Sequence, residues 1–244
     1  MPILRSIAFN VLFYSNLVLH IILALPTFAL PRGAFMALAR SWGRTSNLLL
    51  RVVAGIAVEY RGRERIPAGA LLVASKHQSV WETFTLITLF DDPAYIYKRE
   101  LTWIPVFGWY LWKSGMVPVD RAARGGAMAG MIESARGALA RGRQIIIFPE
   151  GTRTAPGAPP AYRQGIVNLY AATGVPCVPV ALNSGLFWPR RKFLRYPGTI
   201  VLEVLDPIPP GLERDVFAAR LQNAIEATSA RLIAEGNTSL GSPA

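Results

Sequence analysis

Residues 76–83 read KHQSVWET. His77 is one of only two histidines in the chain, and Glu82 follows it five positions later. A histidine titrates near neutral pH and is the usual general base. A carboxylate on its other ring nitrogen fixes the tautomer and stabilises the imidazolium. Positions i and i+5 do not share a face of a regular helix. The pair can meet only if His77 precedes the helix and Glu82 reaches back. The same residues also read as a capping box, with Ser79 as N-cap and Glu82 in the first turn. On that reading Glu82 serves the helix start, and a single histidine is more often structural than catalytic. The two readings are compatible if the cap shapes the turn that presents His77.

Two further stretches combine polar and apolar residues in the same way. In QIIIFPEGTR (144–153) a run of isoleucines ends at Pro149, and Glu150, Gly151, Thr152 and Arg153 form the turn. Gly151 permits a positive φ and close approach of a ligand to the backbone. Arg153 offers a planar fork suited to phosphate. Glu150 could orient a hydroxyl or hold Arg153. An ordinary strand-end turn with a local ion pair uses the same residue types. The stretch is not a P-loop, because the glycine-rich span and the Lys-Ser/Thr pair are missing. In YKRELTWIPVFGWYLWKSGMVPVDR (97–121), Lys98, Arg99 and Arg121 bracket Trp103, Phe107, Trp109, Tyr110 and Trp112. The basic residues suit a phosphate. The aromatics suit an acyl groove, a membrane interface or a core helix.

Composition bounds the partners. Charged residues are 17% of the chain and the formal charge is +11. Low charge content points to lipid contact. A basic balance suits nucleic acid, anionic headgroups or phosphorylated substrates. One cysteine, Cys177, excludes an intrachain disulfide. Two histidines and one cysteine leave no zinc-ligand cluster.

The elements that must position these residues follow from hydrophobic patterning. Residues 6–31 carry no formal charge at neutral pH and are long enough to cross a bilayer, although Asn10, Asn16, His20 and Pro26 interrupt them. His20 has no nearby carboxylate and reads as a packed or interfacial residue. A second apolar helix is expected over 33–55. Arg40, Arg44 and Arg51 fall on one side of it, and Phe35, Leu38, Trp42 and Leu49 on the other. Residues 1–55 are thus expected to be a membrane-associating helix pair. A spanning first helix followed by arginines would place the downstream domain in the cytoplasm.

Beyond residue 55, β-rich runs at 56–60, 70–75, 94–98, 115–119, 144–148, 177–182 and 199–205 alternate with helical stretches at 80–90, 103–112, 126–141, 164–173 and 213–234. This predicts an α/β domain over 56–235, with a mostly buried sheet flanked by helices. A flexible tail is expected over 236–244. Ligands in open α/β sheets bind at strand C-termini, which is where His77 falls.

Taken in order, these pieces resemble the glycerolipid acyltransferase family. Its pattern has four blocks. The first is a histidine, four residues and an acid, matched by His77 and Glu82. The second is matched by Lys98, Glu100, Leu101, Pro105, Gly108, Asp120 and Arg121. The third, Phe-Pro-Glu-Gly-Thr-Arg, is matched in full by residues 148–153, and the fourth by Val178, Pro179 and Val180. The acid of the first block is usually aspartate; here it is glutamate.

The resemblance implies transfer of a fatty acyl group from acyl-CoA or acyl carrier protein to a hydroxyl of a phosphorylated glycerol lipid. Lysophosphatidate is the expected acceptor. Glycerol 3-phosphate, a lysophospholipid and lyso-ornithine lipid are the alternatives. His77 would be the base and Glu82 its orienting acid. Arg153, Lys98 and Arg121 would bind phosphate, with Glu150, Gly151 and Thr152 positioning the acceptor. No cofactor, metal or nucleic acid is implied. The expected partners are the bilayer, the lipid acceptor and the thioester donor, with the catalytic domain on the cytosolic face of the cytoplasmic membrane. A non-enzymatic basic membrane-binding protein is the rival from another class. A serine hydrolase is disfavoured, because no Gly-x-Ser-x-Gly elbow is present.

Overall fold

The computed structural model describes residues 2–120 and 126–241. Seven strands form where the β-rich runs predict them: β1 (Ile56–Arg61), β2 (Leu71–Ser75), β3 (Pro93–Lys98), β4 (Val117–Val119), β5 (Gln144–Ile147), β6 (Cys177–Leu182) and β7 (Gly198–Val204). They make one mixed sheet in the order β1-β7-β6-β2-β5-β3-β4. β6, β2, β5, β3 and β4 run parallel; β7 pairs antiparallel to β6 and parallel to β1. The C-termini of five strands therefore share one edge, and β2 is the middle strand of the whole sheet.

Both faces of the sheet are covered, so its central strands read as unbroken apolar runs. The period of two divides each run between two cores. Leu71, Val73 and Ile146 face a core shared with helices α1 (Pro2–Ala24), α2 (Arg32–Leu49), α3 (Trp81–Leu89) and α7 (Ser184–Phe187). Leu72, Ala74, Ile145 and Ile147 face a second core with α5 (Gly126–Leu139), α6 (Gln164–Thr173) and α8 (Arg214–Gly241). The remaining helix, α4 (Phe107–Lys113), lies between β3 and β4 in sequence.

The N-terminal helices are part of the first core. Phe9 and Phe13 of α1 are buried and pack edge-on against Trp188, at 5.1 and 5.3 Å between ring centroids. α2 runs between α1 and α3. Gly43 permits this: a Cβ there would lie 2.8 Å from Thr88 Cγ2 and 2.9 Å from the Phe84 carbonyl oxygen. The polar residues that interrupt the apolar segment mostly point inward. The Ser6 hydroxyl accepts the Arg195 N–H at 2.9 Å, and Asn10 accepts the Arg195 guanidinium at 3.1 Å. Asn16 bonds Thr45 and Ser46 on α2, and His20 bonds the Asn16 carbonyl at 2.9 Å. Ile3, Leu4, Ile7, Val11, Val18 and Ile22 remain exposed.

Two expectations need correction. The helix predicted over 103–112 is broken. Residues Arg99–Trp103 form a 3-10 turn, and α4 starts only at Phe107. Pro105 forces Ile104 into an extended conformation, and Val106 turns the chain at φ 66. Gly108 is then required, because a Cβ there would collide with the Thr102 carbonyl oxygen. The tail expected from Gly236 instead continues α8 to Gly241. A Cβ at Gly236 would lie 2.6 Å from Leu186, so its absence lets α8 dock on α7. Asn183 pins the same turn by donating to the Leu232 carbonyl at 3.0 Å. Residues 242–244 and Arg121 lie outside the described residues.

If α1 is structural as well as apolar, Phe13→Ala should destabilise the body of the protein. The expected loss is about 3–5 kcal/mol, the usual range for truncating a buried phenylalanine. Denaturant unfolding in micelles reads it; an unchanged midpoint would reduce α1 to a detachable anchor.

Candidate active site

β2 ends at Ser75, and residues 76–80 turn the chain into α3. The turn is built on one carboxylate. Glu82 is fully buried, and its Oε1 accepts the backbone N–H groups of Gln78 and Ser79, each at 2.6 Å. The same oxygen accepts from His77 Nδ1 at 2.8 Å. Glu82 Oε2 accepts the Ser184 hydroxyl at 2.9 Å from the start of α7. The His77–Glu82 contact is present, whereas the expected cap is met only in part: Val80, not Ser79, is the N-cap of α3. Glu82 takes the Ser79 N–H as a capping acid does, while the Ser79 hydroxyl accepts from Trp81 N–H at 3.3 Å. The cap bends the turn so that His77 falls on the same carboxylate.

With Nδ1–H donated to Glu82, the proton-accepting nitrogen of neutral His77 is Nε2. The ring stacks on Phe148, just past β5, at 3.9 Å between centroids and 15° between planes. Phe148 in turn stacks on Tyr95 of β3. An imidazole held at one nitrogen and on one face has little freedom to rotate. It can take a proton from a hydroxyl and return it, without changing tautomer.

The 149–154 loop closes around the other side of His77. Gly151 adopts φ 68, the conformation its residue type favours. Glu150 does not hold Arg153. It is buried, pairs with Lys76 Nζ at 2.8 Å, and accepts the His77 N–H at 3.1 Å and the Thr154 hydroxyl at 2.6 Å. Both of its oxygens are thus engaged by protein groups, so it acts on the turn and not directly on a ligand. Thr152 is exposed beside it. Arg153 is half-buried, its carbonyl accepts from Arg190 at 2.7 Å, and its guanidinium has no ion-pair partner among the described residues. A cation left without an ion-pair partner, on the loop bonded to the His77 backbone, is suited to an anionic ligand.

Lys98 ends β3 on the same sheet edge, half-exposed and paired with Glu100 at 2.9 Å. Arg99 pairs with Asp120 at 3.0 Å. Cys177 is fully buried, and burial pushes its thiol up, so it is no nucleophile. Among the described residues, no three histidine, cysteine or carboxylate side chains gather as a metal-ligand set.

Sequence reasoning missed several members of this site. Ser184 follows the C-terminus of β6, so its place at the parallel edge was a usable signal. Lys76 directly precedes His77 but reads as a solvated residue. Glu226 and Tyr162 come from distant segments, and nothing local marks them.

Because one carboxylate satisfies four donors, Glu82→Ala should leave buried donors unpaired and cost at least about 3 kcal/mol. Glu82→Gln keeps an oxygen at the same reach and should retain most of the stability. Denaturant midpoints of the two variants check this; equal losses would show that charge, not acceptor geometry, holds the turn.

The chain is similar to known proteins over this whole region. The family model described as Acyltransferase matches residues 57–183. A 1-acyl-sn-glycerol-3-phosphate acyltransferase of Pseudomonas aeruginosa is 38% identical over 169 residues, covering 69% of this chain and 66% of that protein. The 1-acyl-sn-glycerol-3-phosphate acyltransferase alpha of Mus musculus is 31% identical over 205 residues, covering 82% of this chain and 71% of that protein. The crystal structure of the 1-acyl-sn-glycerophosphate (LPA) acyltransferase PlsC from Thermotoga maritima superposes with a TM-score of 0.78 at 23% identity, covering 95% of this chain and 98% of that one. That likeness extends the shared fold to the N-terminal helices. The matched stretch carries His77, Glu82 and the whole of the 148–153 loop, and on it the chain belongs to the acyltransferase family.

Proposed function

We propose that the protein transfers a fatty acyl group from a thioester donor, acyl-CoA or acyl carrier protein, to the free hydroxyl of a 1-acylglycerol 3-phosphate. The observation that carries this is the His77–Glu82 pair: an imidazole with Nδ1 fixed 2.8 Å from a buried carboxylate, at the C-terminal edge of the five parallel strands. The names of the Pseudomonas and mouse relatives support the choice of acceptor.

The steps balance without a covalent enzyme intermediate. The acceptor hydroxyl gives its proton to His77 Nε2 as its oxygen attacks the thioester carbonyl. The imidazolium is held by Glu82. Collapse of the tetrahedral intermediate breaks the carbon–sulfur bond, and the leaving thiolate takes the proton back from His77. Arg153 neutralises the acceptor phosphate, assisted by Lys98 from the end of β3 and by Arg121. Neither an organic cofactor nor a metal enters the scheme.

The exposed apolar residues of α1 support a membrane location. So do Trp103, Trp109 and Trp112, which are 76%, 56% and 77% exposed. Tryptophan favours the headgroup region. α4 is tied to the helix pair by the Tyr110 hydroxyl, which donates to the Ile21 carbonyl at 2.6 Å, and by its stacking between Phe28 and Phe35. These contacts put the aromatic segment at the end of α1. We place the enzyme on the cytoplasmic membrane with this domain on the cytosolic face.

Acyl transfer from labelled thioesters to a panel of lyso-lipids tests the reading. His77→Ala should lower turnover by about 10²–10⁴-fold, the contribution of a general base. Near-normal turnover would remove His77 as the base. Arg153→Ala should weaken use of the phosphorylated acceptor by about 2–3 kcal/mol in kcat/KM. The same kcat/KM as wild type would remove Arg153 from the phosphate site.

A further inference from the structure

We propose that Lys76 is a positioning residue for His77, and that through it Glu226 of α8 holds the base in place. This rests on the reading of His77 as the base. Lys76 is 3% exposed, and its ammonium sits between two carboxylates. Nζ lies 2.8 Å from Glu150 Oε1, and 2.8 and 3.0 Å from the two oxygens of Glu226. A buried lysine is stable only when so paired.

The pairing reaches the base directly. Glu150 Oε2 accepts the His77 N–H, and the His77 carbonyl accepts the Thr154 N–H at 2.8 Å. Both peptide groups of His77 are therefore bonded to the 150–154 loop, and Lys76 locks the carboxylate of that loop. Tyr162 closes the far side by donating to Glu226 Oε1 at 2.9 Å. Burial, then the charges of Glu226 and Glu150, push the Tyr162 hydroxyl up, so it remains a donor.

The arrangement also sets charge. One ammonium between two carboxylates makes a cluster bonded to the His77 backbone through Glu150. The other titratable groups on the elements packed about His77 are Glu82 of α3 on its ring, Tyr95 of β3 behind Phe148, and Arg153 on the 150–154 loop. Removing Lys76 makes the surroundings more negative; neutralising Glu226 makes them less so. The two changes must move the pH dependence of the base in opposite directions.

Full-length Lys76→Met and Glu226→Gln, with Lys76→Gln in reserve should the first fail to fold, test this in micelles. We expect kcat to fall about 10- to 100-fold, as for a small misplacement of a catalytic group. The acceptor KM should stay within about twofold, as for an interaction realised only in the transition state. The acid limb of kcat/KM should move to higher pH in Lys76→Met and to lower pH in Glu226→Gln. Unmoved limbs, or a loss accounted for by the unfolded fraction, would overturn the proposal. Proton NMR gives a readout that does not depend on turnover. The chain has two histidines, so the Nδ1–H resonance lost in His77→Ala is that of the base. It should shift or broaden in Lys76→Met. An unchanged resonance overturns the positioning role; a shifted one in a protein that transfers no acyl group supports it and rejects the reading of His77 as an acyltransferase base.

Discussion

The site depends on a single buried carboxylate. Glu82 lies at the start of α3 with no exposed surface, and an acid in such a place is tolerated only if every lone pair is used. It is used four times, by two turn N–H groups, the His77 ring and the Ser184 hydroxyl. The first two bonds shape the turn and the third orients the His77 ring. The fourth ties the turn to α7, four strands later in the chain. To do this the Glu82 side chain reaches back past the helix start. Folding the turn and orienting the imidazole are thus the same act.

The sheet supplies the rest by direction alone. Five strands end on one edge, so loops far apart in sequence meet there. His77 follows β2, Glu150 and Arg153 follow β5, Lys98 ends β3, and Ser184 follows β6. The central strands are apolar on both faces, which confines polar chemistry to their ends. Lys76 is the exception that shows the rule. It sits one residue past β2, its backbone N–H bonded to the Val180 carbonyl, and its ammonium is buried only because two acids meet it.

The N-terminal helix obeys two environments. Its inward stripe carries Ser6, Phe9, Asn10, Phe13, Asn16 and His20, recurring at three- and four-residue steps, and each of the polar ones bonds within the protein. The other faces are mostly apolar and uncovered. A helix buried in a soluble core would hide that surface, and a free anchor would not need the inward polar bonds. Asn10, Asn16 and His20 look like defects in an apolar segment when read along the chain. In three dimensions they are the fastening.

Local rules were enough for the strands, because a buried parallel strand is a short apolar run wherever it ends up. They were enough for the His77–Glu82 pair too, since the turn is five residues long and its geometry is local. They failed at Pro105 and Gly236, in opposite senses. At the first, an aromatic pattern outweighed a proline whose ring breaks the helix. At the second, a glycine read as fraying is what lets α8 lie against α7. The sequence by itself determined the fold class, the sheet edge on which the candidate site lies, and the pairing of His77 with Glu82. Only the tertiary structure decided that Glu150 belongs to Lys76 instead of Arg153, and that Glu226 and Ser184 belong to the site. Those partners are brought together by sheet order and helix docking across about half the chain or more, and no local pattern encodes which distant acid a buried lysine will meet.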